Sequence, residues 1–377
     1  MIIKKLIKNI DYLIPIITLL LIITGLVIIG SATNITDNPL LQNTFLKKQI
    51  IAAIVGIILV IISLFFDYRI LRDYVSVIYV LNILILLTVL FFGSTIKGGQ
   101  GWIRLGPVNF QPAETAKLAV IIALADVLAK GKYNVYYILG LIVPGIYIGV
   151  PFILVLLQND LGSALVLIAI FVGMIYVAGA NAKFLVGTFL SGIGTVVAWI
   201  TVHIYWGVPI PLKQYQLNRL LVLVNPQLDP LGAGYNVIQS KIAIGSGGLL
   251  GKGLFGGTQN QLNFLPERHT DFIFSVLGEE FGFIGALLIL LLYLLLLWRG
   301  VKVAMEAKDE FGQLLVVGIL SMFAFHILEN VGMTIGIMPV TGIPLPFLSY
   351  GGSSLLTNLM AIAIIMNVNI RRKKMLF

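Results

Sequence analysis

Three acidic residues stand at the entry to a long apolar run of this sequence. Asp271 precedes the run, and Glu279 and Glu280 lie about two helical turns further along it. His269 adds an ionisable group close to Asp271. A positioned carboxylate can take a proton from an attacking hydroxyl group, and ionisable residues at membrane depth indicate a functional site. The alternatives are that Asp271 caps a helix, and that Glu279 and Glu280 either line the same interior or pair with other residues.

A second pair of charges opens another apolar run, within "FQPAETAKLAV". Pro112 suits the first turn of a helix, and Glu114 and Lys117 follow at i and i+3, within reach of each other on one helix face. Pairing lowers the cost of burying either charge. Two roles are open for the pair: a structural ion pair that seats the helix, or a direct contact with a substrate.

A third acidic position lies in "LQNDLGSAL". Asn159 and Asp160 directly precede an apolar run, where short polar side chains accept hydrogen bonds from the first helical N–H groups. We therefore favour a helix cap for Asp160. A carboxylate at this place could also bind a polar headgroup or a metal ion.

Hydroxyl groups cluster in the stretch "MPVTGIPLPFLSYGGSS", residues 338–354. Its prolines and glycines predict a rigid, non-helical entry to the last apolar run. Irregular backbone at membrane depth is tolerated where protein buries it or where it lines a cavity. Ser349, Tyr350 and Ser353, with the adjacent Ser354, would then offer hydroxyls to a polar ligand. A plain outer turn is the alternative.

The composition places all these residues in a membrane protein. Of the 377 residues, 59% are hydrophobic and 11% are charged, against roughly half and a quarter in soluble domains. The many apolar runs of about 20 residues predict an all-α polytopic fold, because a β-barrel would show shorter alternating segments. The net charge of +9 indicates basic cytoplasmic loops rather than nucleic acid. The absence of cysteine excludes disulfides and thiolate chemistry, and three scattered histidines supply no zinc-type cluster.

The apolar runs predict about ten membrane-spanning helices in one integral membrane domain, residues 1–377. The predicted spans are 12–32, 47–66, 73–93, 113–130, 136–156, 161–179, 184–206, 271–298, 312–337 and 349–370. Lysine and arginine are concentrated in the loops on the side of the termini, and few lie in the short opposite loops. Both termini are therefore predicted to be cytoplasmic. The connection between the seventh and eighth helices, 207–270, is then a large extracellular loop, too long to be structureless.

Together these stretches resemble the SEDS family, the shape, elongation, division and sporulation proteins of bacteria. The resemblance is carried by "WIRLGPVNFQPAETAKLA", "QNDLGSAL", the run from "DPLGAGYNVIQSKIAIGSGG" through "LPERHTDFIFSVLGEEFG", and "TGIPLPFLSYGGSS". These motifs occur in family order and cover nearly the whole chain. Within the family, "GTQNQLNFLPERHTDFIF" is more similar to the elongation members than to the division members.

The resemblance implies a peptidoglycan glycosyltransferase in the bacterial cytoplasmic membrane. Such an enzyme polymerises lipid II into glycan strands at the outer face, releases undecaprenyl pyrophosphate, and works with a class B penicillin-binding protein in elongation and rod-shape maintenance. The catalytic aspartate of the family falls on Asp271, and its Glu–Lys pair falls on Glu114 and Lys117. A divalent cation, Mg or Mn, would suit the pyrophosphate, although the sequence shows no obvious ligand set for it. Expected contacts are lipid II, nascent glycan and membrane lipid, with no nucleic acid.

Two other functions compete with this interpretation. A flippase that moves lipid II across the membrane would also contain intramembrane charges such as Glu114, Lys117, Glu279 and Glu280. A non-catalytic scaffold of the elongation or division machinery would need none of them. The predicted outer position of Asp271, beside a long loop, favours the enzyme.

Overall fold

The computed structural model describes residues 11–34, 44–96, 99–105, 108–209 and 214–372. Helices dominate it, which confirms the predicted α-helical membrane fold. The helices are α1 Leu13–Thr33, α2 Thr44–Ser63, α3 Ile70–Asp73, α4 Val75–Phe92, α5 Pro112–Ala129, α6 Ile142–Leu157, α7 Leu161–Val177, α8 Ala182–Trp206, α9 Gln214–Val224, α10 Ala233–Gly247, α11 Thr258–Gln261, α12 Ile273–Met305, α13 Glu310–Ile335 and α14 Gly352–Ile370. Short 3-10 turns lie at Ile138–Leu141 and Pro226–Leu228.

Within these ranges, eight helical segments are long and apolar enough to cross a membrane. They correspond to α1, α2, α4, α6 with its preceding 3-10 turn, α8, α12, α13 and α14. Helices also form at the other two predicted spans. The first, α5, contains three charged residues, Glu114, Lys117 and Asp126, and the second, α7, is only 17 residues long. The count of ten spans stays a prediction.

A small sheet follows α4, and the sequence did not predict it. Strands β1 Ser94–Ile96, β2 Gly99–Leu105 and β3 Val108–Phe110 are antiparallel neighbours in that order. In the register of β2 and β3, Ile103 faces Phe110. The sheet leads directly into Pro112, so it fixes where α5 begins.

The centre of the bundle is formed by α5, α13 and α14. Helix α13 packs against α5, α7, α12 and α14, while α14 also packs against α2. Most residues of α14 and of α5 are buried. Helix α8, by contrast, exposes nearly all of its side chains and touches the bundle through α7. The charged and polar side chains buried on α5 and α13 are therefore held in the most enclosed part of the protein.

The long connection 207–270 is structured over its described part, 207–209 and 214–270. It contains α9, α10 and α11, and α10 packs against α12 and α13. The two helices α10 and α12 meet at small residues: a Cβ on Gly247 would lie 2.0 Å from the Gly278 carbonyl oxygen, and Ser240 Oγ lies 2.6 Å from Ser275 Oγ. The small-residue face that the sequence shows at 275–285 thus packs against the loop.

Helix α12 is interrupted at Gly282, whose φ of 65° and ψ of −165° are not helical. The loop 248–253 enters the gap. The Glu279 carbonyl accepts from Lys252 N at 3.0 Å and the Glu280 carbonyl from Gly253 N at 3.0 Å, while Phe283 N donates to the Gly248 carbonyl at 2.9 Å. These bonds stand in place of those that an uninterrupted helix would make from i to i−4. Residues 273–281 are therefore a half-helix joined to the loop.

Candidate active site

Asp271 lies in the turn that precedes α12, and its side chain is partly exposed. The N-cap position of α12 is occupied by Phe272, which makes no side-chain cap. The turn is held from two sides. Asn330 Nδ2, on α13, donates to the Asp271 carbonyl at 2.8 Å, and Ser349 Oγ donates to the Thr270 carbonyl at 2.6 Å. These two bonds fix the backbone that carries the Asp271 side chain.

The segment 336–351, between α13 and α14, is non-helical, and it passes directly beside the Asp271 carboxylate. The non-helical stretch predicted for 338–354 thus ends three residues earlier, because 352–354 already belong to α14. Gly342 has a φ of 78°, and a Cβ built on it would lie 3.1 Å from Asp271 Oδ2. Glycine allows this backbone conformation and leaves the space beside the carboxylate open. The predicted constellations around Asp271 and around residues 338–354 therefore form one site.

The predicted ligand hydroxyls in this segment are used for internal bonds. Ser349 Oγ accepts from Leu345 N at 2.8 Å in addition to its bond to Thr270. Ser353 Oγ donates to the Asn109 carbonyl at 3.1 Å and accepts from Gln111 N at 3.2 Å. These two serines fix the segment to the turn at Asp271 and to the start of α5. In this structure they support the backbone of the site.

His269 and Tyr350 form an aromatic cluster on the exposed side of the Asp271 turn. Their ring centroids lie 5.6 Å apart, and the Phe45 ring lies 4.9 Å from His269 and 5.1 Å from Tyr350. Tyr350 N also donates to the His269 carbonyl at 2.9 Å. Partial burial raises the pKa of the Tyr350 hydroxyl, so this group stays a neutral donor at ordinary pH. The three rings are tilted by 50° to 87° to one another and together form an aromatic wall beside the site.

The predicted ion pair on α5 is present and fully enclosed. Lys117 Nζ lies 2.8 Å from Glu114 Oε1, and the two side chains are 1% and 3% exposed. A third residue joins them: His326 Nε2, on α13, lies 3.3 Å from Lys117 Nζ. Among the described residues, Glu114 Oε2 and His326 Nδ1 have no hydrogen-bond partner. With Lys117 so enclosed, the geometry favours a role in shaping the site over direct contact with a substrate.

Asp160 caps α7, as the sequence favours. Its Oδ1 accepts from Ser163 N at 2.9 Å, and its Oδ2 accepts from Ser163 Oγ at 2.8 Å and from Gln111 Nε2 at 3.0 Å. The backbone N–H of Gln111 also donates to Ser353 Oγ. Asp160 therefore ties the start of α7 to the start of α5, and its role toward a ligand stays a prediction.

Glu279 and Glu280 are satisfied by the loop and by α1. Glu279 forms an ion pair with Lys252 at 2.7 Å and accepts from Gln259 N at 2.9 Å, so it caps the short α11. Glu280 Oε1 accepts from Ser31 Oγ at 2.5 Å and from Asn260 Nδ2 at 3.3 Å. Of the alternatives left by the sequence, the structure supports pairing with other residues.

Arg268 is likewise engaged close to the site. Its Nε donates to the Ala32 carbonyl at 2.7 Å, and its guanidinium also contacts the Asn263 side chain. Burial lowers the pKa of Arg268, though the guanidinium stays charged because arginine is by far the most basic side chain. This residue therefore anchors the loop to the end of α1.

Sequence reasoning missed the buried polar residues of α13. His326, Glu329 and Asn330 are each at most 1% exposed, and Glu329 Oε1 accepts from Thr341 Oγ1 at 2.7 Å. The signal was available in "FHILEN", where two ionisable residues and an amide lie at i, i+3 and i+4 inside a predicted span.

The donor set does not form a resident metal site. Among the described residues, no group of three or more histidine, cysteine, aspartate or glutamate side chains could hold an ion. A divalent cation, Mg or Mn, is therefore an expectation that these residues do not support by themselves.

Comparison with known proteins agrees with the motifs. The family model FtsW/RodA/SpoVE, described as "Cell cycle protein", matches residues 11–374. The chain is 39% identical over 364 residues to "Stage V sporulation protein E" of Bacillus subtilis, covering 95% of this chain and 96% of that protein. It is 38% identical over 333 residues to "Peptidoglycan glycosyltransferase MrdB" of Escherichia coli, covering 87% of this chain and 86% of that protein.

A solved structure is similar over nearly the same length. It is described as "Structural coordination of polymerization and crosslinking by a peptidoglycan synthase complex", and one of its chains matches with a TM-score of 0.79 and 34% identity. The match covers 97% of this chain and 99% of that chain. Since the family model and the relatives span nearly the whole sequence, the chain belongs to the FtsW/RodA/SpoVE family, which is the SEDS family that its motifs resemble.

Proposed function

We propose that this multi-pass membrane protein is a peptidoglycan glycosyltransferase that polymerises lipid II into glycan strands and releases undecaprenyl pyrophosphate. The name of its relative, peptidoglycan glycosyltransferase MrdB, supports the reaction class. The observation that carries the proposal is the placement of Asp271. Its carboxylate is partly exposed, its backbone is held by bonds from α13 and from segment 336–351, and it lies directly beside Gly342.

Asp271 is assigned the role of general base. The carboxylate takes the proton from the 4-hydroxyl of the acceptor GlcNAc, whose oxygen forms the new bond to the anomeric carbon of the donor sugar. The bond from that carbon to the pyrophosphate oxygen breaks, and the pyrophosphate leaves with the electron pair. Lys117 and Glu114 act at a distance by fixing the start of α5 under the site. The aromatic wall of His269 and Tyr350 offers a surface for a sugar ring.

The cellular setting follows from the same proposal. The protein lies in the bacterial cytoplasmic membrane with both termini in the cytoplasm and Asp271 at the outer face. Its partner is a class B penicillin-binding protein, in line with the similar structure, in which a peptidoglycan synthase complex coordinates polymerization and crosslinking. The motif "GTQNQLNFLPERHTDFIF" supports elongation and rod shape over division. Overall identity does not separate these roles, because a sporulation protein and MrdB score 39% and 38%.

The test is polymerisation of labelled lipid II by the wild type and by Asp271→Ala, each purified with its class B penicillin-binding protein. Moenomycin silences contaminating classical glycosyltransferases, and chain length is read on a gel. We expect polymer from the wild type and none from the variant. Equal polymer from both proteins would show that a residue other than Asp271 is the general base. No polymer from either folded, partnered protein would favour a lipid II flippase or a scaffold, which a transport assay in vesicles would then separate.

A further inference from the structure

Helix α13 connects the buried ion pair to the Asp271 turn. His326 and Asn330 lie one turn apart on the same face of α13, and both are 0% exposed. His326 Nε2 lies 3.3 Å from Lys117 Nζ, and Asn330 Nδ2 lies 2.8 Å from the Asp271 carbonyl. The two contacts are separated by about 6 Å of helix rise, since Asn330 lies four residue steps of about 1.5 Å beyond His326.

The contact with Lys117 fixes the chemical state of His326. An ammonium group has three N–H donors and no acceptor, so at this distance the ring nitrogen Nε2 has to accept the hydrogen bond. The neutral imidazole then has its proton on Nδ1. A protonated ring would place two cations in contact within an enclosed region, where the carboxylate that pairs with Lys117 among the described residues, Glu114, carries a single negative charge.

The lysine depends on this acceptor for its orientation. Its side chain has four flexible carbons, and Glu114 Oε1 binds the ammonium from the same helix, three residues away. His326 binds it from a different helix. Removing His326 would leave Lys117 tied only to its own helix and would leave a buried N–H without an acceptor.

We propose that His326 is a positioning residue for the transfer reaction. Through one turn of α13, His326 and Asn330 set the distance between the Lys117–Glu114 pair and the Asp271 carboxylate. This inference rests on the proposed glycosyltransferase function for its effect on rate, whereas the contact between His326 and Lys117 can be tested without any activity.

The first experiment compares two variants in the complex with the class B penicillin-binding protein. His326→Leu removes the acceptor, and His326→Gln keeps one in its side-chain carbonyl. Since small misplacements of a site can cost about 100-fold in rate, we expect His326→Leu to lower kcat about 10- to 100-fold with little change in KM. His326→Gln should restore most of kcat. Met322→Leu, equally buried one turn earlier on α13, is the matched control and should behave as the wild type.

Three outcomes overturn the inference: a folded His326→Leu variant with wild-type kcat, a His326→Gln variant as slow as His326→Leu, or a loss confined to KM. A wild-type complex that makes no polymer would instead refute the proposed function.

The second experiment is a double-mutant cycle on thermal stability, which needs no turnover. His326→Leu is measured in the wild type and in Lys117→Met, where no ammonium needs an acceptor. We expect the drop in Tm caused by His326→Leu to be smaller in the Lys117→Met background. Equal drops in both backgrounds would show that the two side chains do not act together and would overturn the proposal.

Discussion

The two peptide bonds that flank Asp271 are held by hydrogen bonds from other parts of the fold. Ser349 binds the Thr270 carbonyl and Asn330 binds the Asp271 carbonyl, so these two residues fix the peptide planes on either side of Asp271. Ser349 was predicted as a ligand hydroxyl, and Asn330 was not predicted at all. Both hold the backbone that carries the carboxylate, and neither could be assigned this role from its position in the sequence.

At Gly342, a single added methyl group would come into contact with the Asp271 carboxylate. We expect Gly342→Ala to cost about 1 to 2 kcal/mol, because its φ of 78° is unfavourable for L residues. The new Cβ would also lie 3.1 Å from Asp271 Oδ2, so polymerisation should fall further than stability alone explains. Thermal melting and initial rates of polymerisation measure the two effects.

Gly149→Ala is the control for this substitution. Gly149 lies in α6, and a Cβ built on it meets nothing within 4 Å. The change should be neutral or slightly stabilising, since alanine is preferred inside helices. A Gly342→Ala variant with the same melting temperature and rate as the wild type would contradict the close approach described here.

At the scale of the element, the break in α12 separates what the sequence presents as one apolar run. The helix bonds that are lost at Gly282 are replaced by bonds to loop 248–253. This exchange leaves the backbone groups satisfied at membrane depth, as they must be. The half-helix 273–281 is consequently bonded to loop 248–253 as well as packed in the bundle.

Gly282→Ala should therefore damage the fold. The added Cβ would lie 2.3 Å from Gly251 N, a backbone atom that cannot move aside alone, and φ is 65°. We expect a loss of at least about 1 to 3 kcal/mol from backbone strain, with the overlap adding to it. Thermal melting in detergent measures this, and Gly187→Ala in α8, which has open space around its Cβ position, is the control. If both variants melt at the same temperature, the interruption of α12 is wrong.

The sequence predicted the helices well and their interruption poorly. Long apolar runs specify where helices lie, because burial and membrane length constrain them strongly. A glycine inside such a run is compatible with a continuous helix, so Gly282 gave no local signal. The strands between residues 94 and 110 were missed because they are only three to seven residues long, so their periodicity is too brief to detect.

At the scale of the whole molecule, a polar cluster joins the loop after α2 to the start of α13 at the predicted cytoplasmic end. Asp309 caps α13 through Gly312 N at 2.8 Å and accepts from Tyr68 Oη at 2.7 Å and Arg69 Nε at 3.0 Å. Burial alone would raise the pKa of Asp309, yet the bonds from Gly312, Tyr68 and Arg69 together lower it below its ordinary value of 3.8.

This cluster predicts a loss of stability in acid. Because the pKa of Asp309 is lowered in the folded state, its contribution is fully present above the unfolded value of 3.8 and is lost as pH falls through the folded value. We expect the melting temperature to fall on acidification with a smaller slope in Asp309→Asn than in the wild type. Glu310→Gln, an exposed neighbour, is the control and should keep the wild-type slope. Parallel pH profiles for Asp309→Asn and wild type would refute the role of Asp309.

The site as a whole was partly predictable. Asp271, the Glu114–Lys117 pair and segment 338–354 were found because charges and prolines are conspicuous in apolar sequence. The residues that connect them were not found, because His326 and Asn330 contact residues that are far away in the sequence. Pairing between elements depends on how they pack, which a single sequence does not display.

The break at Gly282 also bears on how this protein meets bilayers of different thickness. A long apolar helix adapts to a thicker or thinner bilayer by changing its tilt. In a continuous α12 that tilt would displace Asp271 with it. Here the turn at Asp271 is fastened to α13 and segment 336–351, and residues 273–281 to loop 248–253. The part of α12 after Gly282 is tied to the same elements, because Phe283 N donates to the Gly248 carbonyl and Tyr293 Oη donates to the Pro346 carbonyl. A change in tilt would therefore reach the Asp271 turn through loop 248–253 and segment 336–351, rather than along one straight helix.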